Sequence, residues 1–358
     1  MEHKNDAAKM LDLMGHPAFC VRDGKITRVN PGAAGLGFSI GQTLEQLVCT
    51  GWDEYTAFEG GCLYLTLSPE GAPLGASVTR MDEFDVFCLE ELADNRELQA
   101  MALAAKELRT PLSSVMITAQ RLFPLSALAD DPATREQVAR LNRGLYQMLR
   151  VVGNMSDAGN YAASPARQET VNICAELDEI FRKAAELVTH TGVTLTYQGH
   201  PNAIHCLADR ESLERAVLNM VSNAVKFTPQ GGDIQATLTR QGNRLYLSIR
   251  DSGSGIHQGL EGDVFTRFRR QCGLEDGRFG IGLGLVLVRS AAAAHGGAVL
   301  IDSPDGEGTR ITMSLAIRQA DSTVRSRILR VDYAGEQDHG LIELSELLPD
   351  ALYEKEIY

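Results

Sequence analysis

The stretch Asn219-Met-Val-Ser-Asn223-Ala-Val-Lys226-Phe-Thr228 is the most informative part of the chain. Asn219 and Asn223 are four residues apart, and this spacing places two side chains on the same face of a helix. A carboxamide oxygen is a hard, neutral ligand that suits Mg²⁺. Lys226 follows at the next helical step, where an ammonium group can meet a phosphate. The stretch therefore predicts a helix that offers amides and a cation to a phosphate-bearing ligand and its Mg²⁺.

Four further motifs follow this helix in order. They are Asp251-Ser-Gly253-Ser-Gly255-Ile256, Phe265-Thr-Arg-Phe268-Arg-Arg270, Gly280-Ile-Gly282-Leu-Gly284-Leu285 and Gly306-Glu-Gly308-Thr309. Asp251 comes after a predicted strand, and its carboxylate can accept a hydrogen bond from an adenine amino group. Glycines beside it let the backbone approach a base closely. The glycines at 280, 282 and 284 lead into a predicted helix whose N-terminal amides can bind phosphate.

This ordered set resembles the N, G1, F, G2 and G3 boxes of the catalytic domain of sensor histidine kinases, which belongs to the fold family of gyrase and the heat-shock chaperone ATPases. The resemblance implies an α/β-sandwich ATP-binding domain over residues 166–318, with ATP and Mg²⁺ as cofactors and with Asn223 and Asn219 as the Mg²⁺ ligands. The nucleotide-binding residues that it implies are Asn219, Asn223, Lys226, Asp251, Gly253, Gly255, Phe265, Phe268, Arg270, Gly280, Gly282, Gly284, Leu285 and Thr309.

Asn219 also separates two kinds of chemistry within that fold. The ATP-hydrolysing relatives resembled here carry a glutamate at this position, where it activates water. A neutral amide cannot act as a general base. The pocket is therefore predicted to serve phosphoryl transfer rather than hydrolysis.

Residues 91–160 carry two helical patterns with heptad spacing. The first comprises Leu98, Met101, Ala105, Leu108, Leu112, Val115, Ala119 and Leu122, and the second comprises Val138, Leu141, Leu145, Met148, Val152 and Met155. Such spacing gives each helix one apolar seam. Two helices alone bury too little apolar surface, so a homodimer that forms a four-helix bundle is predicted.

The first of these helices contains Ala105-Lys106-Glu107-Leu108-Arg109-Thr110-Pro111-Leu112. From Lys106 onward it resembles the family's phosphotransfer motif, usually His-Glu-Leu-Arg-Thr-Pro-Leu, at six of seven positions. The mismatch is Lys106, which stands where the phospho-accepting histidine belongs. Imidazole is largely neutral and nucleophilic near pH 7, whereas a lysine ammonium has no free lone pair. Autophosphorylation is therefore predicted to be impaired, and Lys106 either solvates the helix or pairs with ATP phosphates or a receiver aspartate.

Glu107 and Thr110 complete the candidate catalytic set. In the family, the acid aids proton removal and the residue three positions further on helps position water for receiver dephosphorylation. Several functions stay open: a kinase using another acceptor or a partner subunit, a phosphatase acting on a response regulator receiver domain, or a non-catalytic regulator of a true histidine kinase.

The ends of the chain carry weaker patterns. Residues 1–90 show five β-prone runs, with Asp23-Gly24 as a hairpin turn between the first two. This order of elements is similar to a PAS sensor domain. Residues 319–358 are predicted to form a C-terminal extension with a strand at 327–333 and an amphipathic helix at 341–353, which packs on the catalytic domain or docks a partner. The predicted fold class is thus multidomain α+β.

Composition excludes some partners. The net charge of −13 argues against a sequence-independent nucleic-acid binder, which needs a basic face. No window approaches the roughly 18 apolar residues of a membrane helix, so no integral membrane segment is predicted. The N-terminus lacks a signal-peptide pattern. The seven scattered cysteines are typical of reduced thiols, and the predicted location is cytoplasmic.

Overall fold

The computed structural model of the chain describes residues 11, 16–69, 71, 73–81, 83–91, 96–122, 132–160, 168–255, 283–303, 308–319 and 338–354. Its strands are β1 Ala18–Arg22, β2 Lys25–Val29, β3 Val48–Thr50, β4 Cys62–Leu67, β5 Leu74–Arg80, β6 Asp85–Glu91, β7 Glu169–Asn172, β8 Thr194–Gln198, β9 His205–Ala208, β10 Asp233–Gln241, β11 Arg244–Asp251, β12 Val299–Asp302 and β13 Arg310–Ala316. Its helices are α1 Pro31–Gly35, α2 Trp52–Ala57, α3 Arg96–Leu122, α4 Pro132–Asn160, α5 Ile173–Val188, α6 Arg210–Phe227, α7 Gly284–Ala294 and α8 His339–Glu343. This mixture of elements confirms the α+β class.

The N-terminal part begins with the predicted hairpin. Asp23 and Gly24 have φ angles of 52° and 71°, the left-handed values that a tight two-residue hairpin turn needs. Strand β1 pairs with β2 on one side and with β6 on the other, and β6, β5 and β4 continue the antiparallel order. Phe19 stacks on Phe38 and Phe87 with ring centroids 4.8 Å apart in both cases, which fixes the centre of this core.

Helix α6 lies over a sheet in the second half of the chain. Leu213, Val217 and Val221 on α6 are fully buried, as are Leu245 and Leu247 on β11. The Asp209 side chain caps α6 by accepting a hydrogen bond from the amide of Ser212. Strands β13, β11, β10 and β8 are neighbours in that order, with α5, α6 and α7 packed against them. The predicted helix with Asn219 is thus one layer of an α/β sandwich.

The two halves share one continuous sheet, which no pattern in the sequence predicts. Strand β4 pairs antiparallel with β12, so that Tyr64 lies opposite Val299 and Cys62 opposite Ile301. An ion pair supports this junction, since Arg244 on β11 contacts Asp53 at 2.6 Å. Strand β12 pairs in turn with β13. The N-terminal sheet therefore holds the strands that flank the last glycine motif.

Helices α3 and α4 form a hairpin in which the heptad positions divide into two sets. One set is buried between the helices and comprises Ala105, Leu112, Ala119, Val138, Leu145 and Val152. The other set is displaced by three residues and is between 42% and 67% exposed; its members are Leu108, Val115, Leu122, Leu141 and Met148. The hairpin thus satisfies half of its apolar seam and presents the other half outward.

The C-terminal segment corrects one prediction. Instead of a single helix over 341–353, the chain forms the short helix α8 and then a 3-10 turn at Asp350–Tyr353. Pro349 has no amide hydrogen to continue a helix. In addition, Arg143 on α4 donates to the carbonyl oxygens of Ser345 and Glu346, which a longer helix would need for its own amides. The predicted strand at 327–333 lies outside the described residues. Among the helices that the structure describes, none is long and apolar enough to cross a membrane.

Candidate functional site

Helix α6 presents a polar stripe along one face. Its members are separated by four, three and four residues, which keeps them on the same side of a helix; they are Arg215, Asn219, Ser222 and Lys226. Asn219 is 1% exposed, and its Nδ2 donates to the Arg215 carbonyl oxygen at 2.9 Å. A Cβ atom at Gly284 would lie only 2.8 Å from Oδ1 of Asn219. Asn219 of the first motif therefore lies directly against the first residue of α7, with the half-buried Asn223 one helical turn further along α6.

Asp251 ends β11 and is 5% exposed. Its Oδ1 accepts hydrogen bonds from the amide of Gly253 at 2.9 Å and from the amide of Thr309 at 3.1 Å. Burial raises the pKa of the Asp251 carboxyl, and these two hydrogen bonds oppose that rise. Both bonds use Oδ1, so Oδ2 is the oxygen that can accept a hydrogen bond from a ligand. The carboxylate is therefore held in a fixed orientation by the turns on either side of it.

Two of the glycine motifs are joined through their backbones. The amide of Gly308 donates to the carbonyl oxygen of Gly253 at 3.0 Å. The amide of Asp251 donates to the carbonyl oxygen of Thr309 at 2.9 Å. Gly308 has a φ of +66°, which a side chain would strain, and a Cβ there would collide with the backbone of Asp251. This close approach requires glycine. Gly255 lies at the edge of the same junction, next to Ser303 and Gly308.

Gly284 and Leu285 begin α7, where the first helical amides have no partner within the helix. The structure therefore brings Asn219 to Gly284, and Asp251 to Gly253 and Thr309. Five predicted nucleotide-binding residues lie outside the described part of the chain, and these are Phe265, Phe268, Arg270, Gly280 and Gly282.

Helix α7 also contacts the N-terminal sheet through side chains. Arg289, 2% exposed, pairs with Glu90 of β6 at 2.6 Å, and its guanidinium lies over the Tyr64 ring, 4.6 Å from the centroid. A cation over an aromatic face is attracted by the ring's quadrupole. The helix that begins at Gly284, in the second glycine motif, is thus positioned by side chains that come from the other half of the chain.

Lys226 lies on the polar stripe, and its ammonium group contacts Glu346 of the C-terminal segment at 2.7 Å. Burial lowers the pKa of Lys226 below its ordinary value, the Arg150 guanidinium adds to that shift, and Glu346 opposes it. Glu343 of the same segment accepts from Arg150, Arg215 and Asn219.

Sequence reasoning missed Arg150, Arg215, Glu343 and Glu346. The four-residue step from Arg215 to Asn219 was a readable signal for one of them. The acidic pair lies more than a hundred residues along the chain from Asn219, so no local pattern connects it to the stripe.

Lys106, Glu107 and Thr110 are exposed on α3. Lys106 and Arg109 border a cleft of about 250 Å³ between the two helices, where residues 102–109 of α3 face residues 149–156 of α4. Its floor is apolar and includes Ala105, Leu149 and Val152. The position predicted for a phospho-acceptor is therefore accessible from solution.

Residues 208–319 match the family described as histidine kinase-, DNA gyrase B- and HSP90-like ATPase. This range contains the polar stripe, Asp251 and all of the glycine motifs. The α/β sandwich described above is thus a histidine-kinase-type ATPase domain.

Comparison with known proteins extends the likeness beyond that domain. The chain is 31% identical over 246 residues to the histidine protein kinase DivJ of Caulobacter vibrioides, covering 64% of this chain and 40% of that one. It is 30% identical over 239 residues to the signal transduction histidine-protein kinase/phosphatase MprB of Mycolicibacterium vanbaalenii, covering 65% and 48%. The crystal structure of full-length ShkA in complex with AMPPNP matches with a TM-score of 0.50 and 25% identity, over 62% of this chain and 46% of that chain. The chain spans about half the length of the curated relatives it matches. Motifs, fold and relatives agree: residues 208–319 form a histidine-kinase-type ATPase domain, and the chain is similar to sensor histidine kinases over about two thirds of its length.

Proposed function

We propose that the chain is an ATP-binding protein of two-component signalling whose own histidine phosphorylation is impaired. The observation that carries ATP binding is the fixed geometry of Asp251, whose Oδ1 is used by Gly253 and Thr309. Oδ2 then accepts from the adenine amino group, a contact that guanine cannot make because it carries a carbonyl oxygen there. The first backbone amides of α7 donate hydrogen bonds to the phosphate oxygens.

Mg²⁺ fits the same site through its amide donors. Asn223 and Asn219 would hold Mg²⁺ through neutral amide oxygens from one face of α6, which are hard ligands of the kind that Mg²⁺ prefers. The described residues hold no group of three or more histidine, cysteine, aspartate or glutamate side chains that would form a separate metal site. Bound there, Mg²⁺ neutralises triphosphate charge. The chain's own residues orient the nucleotide and leave water without a general base at Asn219.

Impaired phosphorylation is argued from Lys106. Its side chain is exposed at the position where the family's nucleophile stands, beside Glu107. An ammonium group near neutral pH offers no lone pair to a γ-phosphate. Neither described bundle helix contains a histidine that could replace it. A response regulator receiver domain is proposed as the partner, and a cytoplasmic location stays a prediction.

A second candidate function is dephosphorylation of a receiver domain. Glu107 and Thr110 are three residues apart on α3, and both are exposed. One relative is named a kinase/phosphatase, which supports a phosphatase reading for a chain that keeps these two residues without the histidine. A non-catalytic role as the regulator of a true histidine kinase fits the same residues. Incubation with γ-labelled ATP and candidate receivers, with pre-phosphorylated receivers in parallel, separates the three functions.

We also propose that the exposed half-seam of the hairpin pairs with a second copy. Its residues recur every seven positions and would be covered in a four-helix bundle. We propose in addition that the N-terminal sheet is a PAS-like sensor domain. Light scattering of the full chain at tens of micromolar should give twice the monomer mass of 38.9 kDa.

A charge placed on this seam should abolish that dimer. We expect Leu108→Glu with Val115→Glu to give the monomer mass, because two carboxylates would be buried without partners. Leu103→Glu is the matched control, since Leu103 is 64% exposed on α3 but lies off the seam. A wild-type chain that is monomeric at this concentration would contradict the bundle.

A further inference from the structure

We propose that the C-terminal segment 338–354 is a built-in competitor of ATP, with the carboxylates of Glu343 and Glu346 occupying cations that the triphosphate would otherwise engage. The proposal rests on the proposed ATP binding and adds its regulation. The cations, named here the cation cluster, come from two different helices and are Arg150, Arg215 and Lys226.

Glu343 is completely buried beside the polar stripe of α6. Its Oε2 accepts from Nε of Arg150 at 3.2 Å and from Nδ2 of Asn219 at 3.4 Å, and its Oε1 accepts from Nε of Arg215 at 3.3 Å. A buried carboxylate is costly unless it is paired and hydrogen-bonded. These donors satisfy that requirement, and one of them is Nδ2 of Asn219, whose oxygen is predicted to serve Mg²⁺.

Glu346 contacts Lys226, a second residue that is predicted to bind the nucleotide. One of its oxygens lies 2.7 Å from Nζ of Lys226 and 2.9 Å from a terminal nitrogen of Arg150. Burial would raise the pKa of Glu346, but Arg150 and Lys226 together hold it below its ordinary value. The carboxylate is therefore charged at neutral pH, as a phosphate would be.

The charges of this region balance only while the segment is bound. Among the described residues, three carboxylates contact the three cations of the cluster: Glu343, Glu346 and Asp157, which pairs with Arg215. Without Glu343 and Glu346 the region would keep three cations and one anion, a largely buried excess of +2. A triphosphate is an anion of the right chemistry to restore the balance, and it would compete with Glu346 for the ammonium group of Lys226.

The segment is held as part of the core, so its position is specific. Ile342, Leu344, Leu348 and Tyr353 are at most 2% exposed. Arg143 on α4 contacts Asp350 at 2.9 Å and donates to two carbonyl oxygens of the segment. Since the segment contacts both α4 and α6, its displacement by ATP would also release the helical hairpin from this side of the ATPase domain.

The test compares the affinity of a fluorescent ATP analogue for the full-length wild type and for Glu343→Gln with Glu346→Gln. Removing both charges should tighten binding by about tenfold or more, because the fraction of protein with an open site rises. Glu354→Gln is the control, because it removes a negative charge from the same segment. Among the described residues, no ion pair involves Glu354. Circular dichroism confirms that each variant is folded.

Hydrogen exchange of the wild type gives a second, independent readout. Saturating Mg²⁺ and AMPPNP should increase exchange in 338–354, because the nucleotide displaces the segment. Equal affinity of wild type and double variant, with unchanged exchange, would overturn the proposal while leaving ATP binding intact. Absence of binding in both proteins would overturn ATP binding and the competitor proposal together, since a released segment should leave the site open.

Discussion

Lys106→His should take acid-labile label from γ-labelled ATP, whereas the wild type should take none. The substitution removes a positive charge and places a nucleophilic imidazole beside Glu107, the proposed general base. The position is exposed at the mouth of a cleft, so the new side chain is accessible to a nucleotide carried by the ATPase domain. Phosphohistidine is recognised because its label survives base and is lost in acid.

Matched variants identify the source of that label. Lys106→Gln removes the same charge without adding a nucleophile and should stay unlabelled. Adding Asn223→Ala to Lys106→His should abolish the label, because Asn223 is the proposed Mg²⁺ ligand. Label on the wild type that survives base but not acid would refute the prediction that the wild type is not phosphorylated by ATP. If neither protein is labelled while both bind ATP, the chain acts as a scaffold or phosphatase.

The proposed competition by the C-terminal segment requires a further variant in this experiment. A docked segment 338–354 would keep nucleotide from the site in both proteins, so an unlabelled Lys106→His protein should also be assayed with Glu343→Gln and Glu346→Gln. Label that appears only in the combined variant would mean that the histidine position and the segment control phosphorylation separately.

Local chemistry explains which features could be predicted from the sequence. The turn at Asp23 and Gly24 needs left-handed backbone, and few residue pairs adopt it readily. The four-residue step between Asn219 and Asn223 determines a shared helix face wherever the helix lies. The approach of Gly308 to Asp251 excludes any side chain, and this requirement is visible as a glycine motif. In each case the residue type itself carries the constraint.

Long-range pairing explains the features that could not be predicted. Strands β4 and β12 are more than two hundred residues apart, and they join through backbone hydrogen bonds that most sequences can make. The helix predicted at 341–353 failed because Arg143, about two hundred residues earlier, takes carbonyl oxygens that the helix would have used. Glu343 and Glu346 belong to a segment that matches no motif. Their role depends entirely on the cations that face them.

Asp251→Ala and Asn223→Ala should each weaken binding of Mg²⁺ and a fluorescent ATP analogue by about tenfold or more, which corresponds to about 1.4 kcal/mol. Asp251 loses a hydrogen bond between a buried carboxylate and the adenine amino group, and a hydrogen bond to a charged group contributes about 1.5–3 kcal/mol. Asp251→Ala should also reduce discrimination between ATP and GTP. Asn223→Ala should reduce the dependence on Mg²⁺ and leave base preference unchanged.

Asp233→Asn is the control for this pair of variants. Asp233 is an exposed carboxylate whose backbone amide bonds to Ser252, next to Asp251, so it shares the location without the proposed contact. The titrations should be repeated with Glu343→Gln and Glu346→Gln. The segment lowers the fraction of open sites by the same factor in every protein, so it should shift all affinities together and preserve their ratios. Binding that is unchanged in both Asp251→Ala and Asn223→Ala would refute the site. In proteins that carry Glu343→Gln and Glu346→Gln, Asp251→Ala and Asn223→Ala could instead have no effect on affinity. That result would mean that Asp251 and Asn223 act through the C-terminal segment and not through the nucleotide.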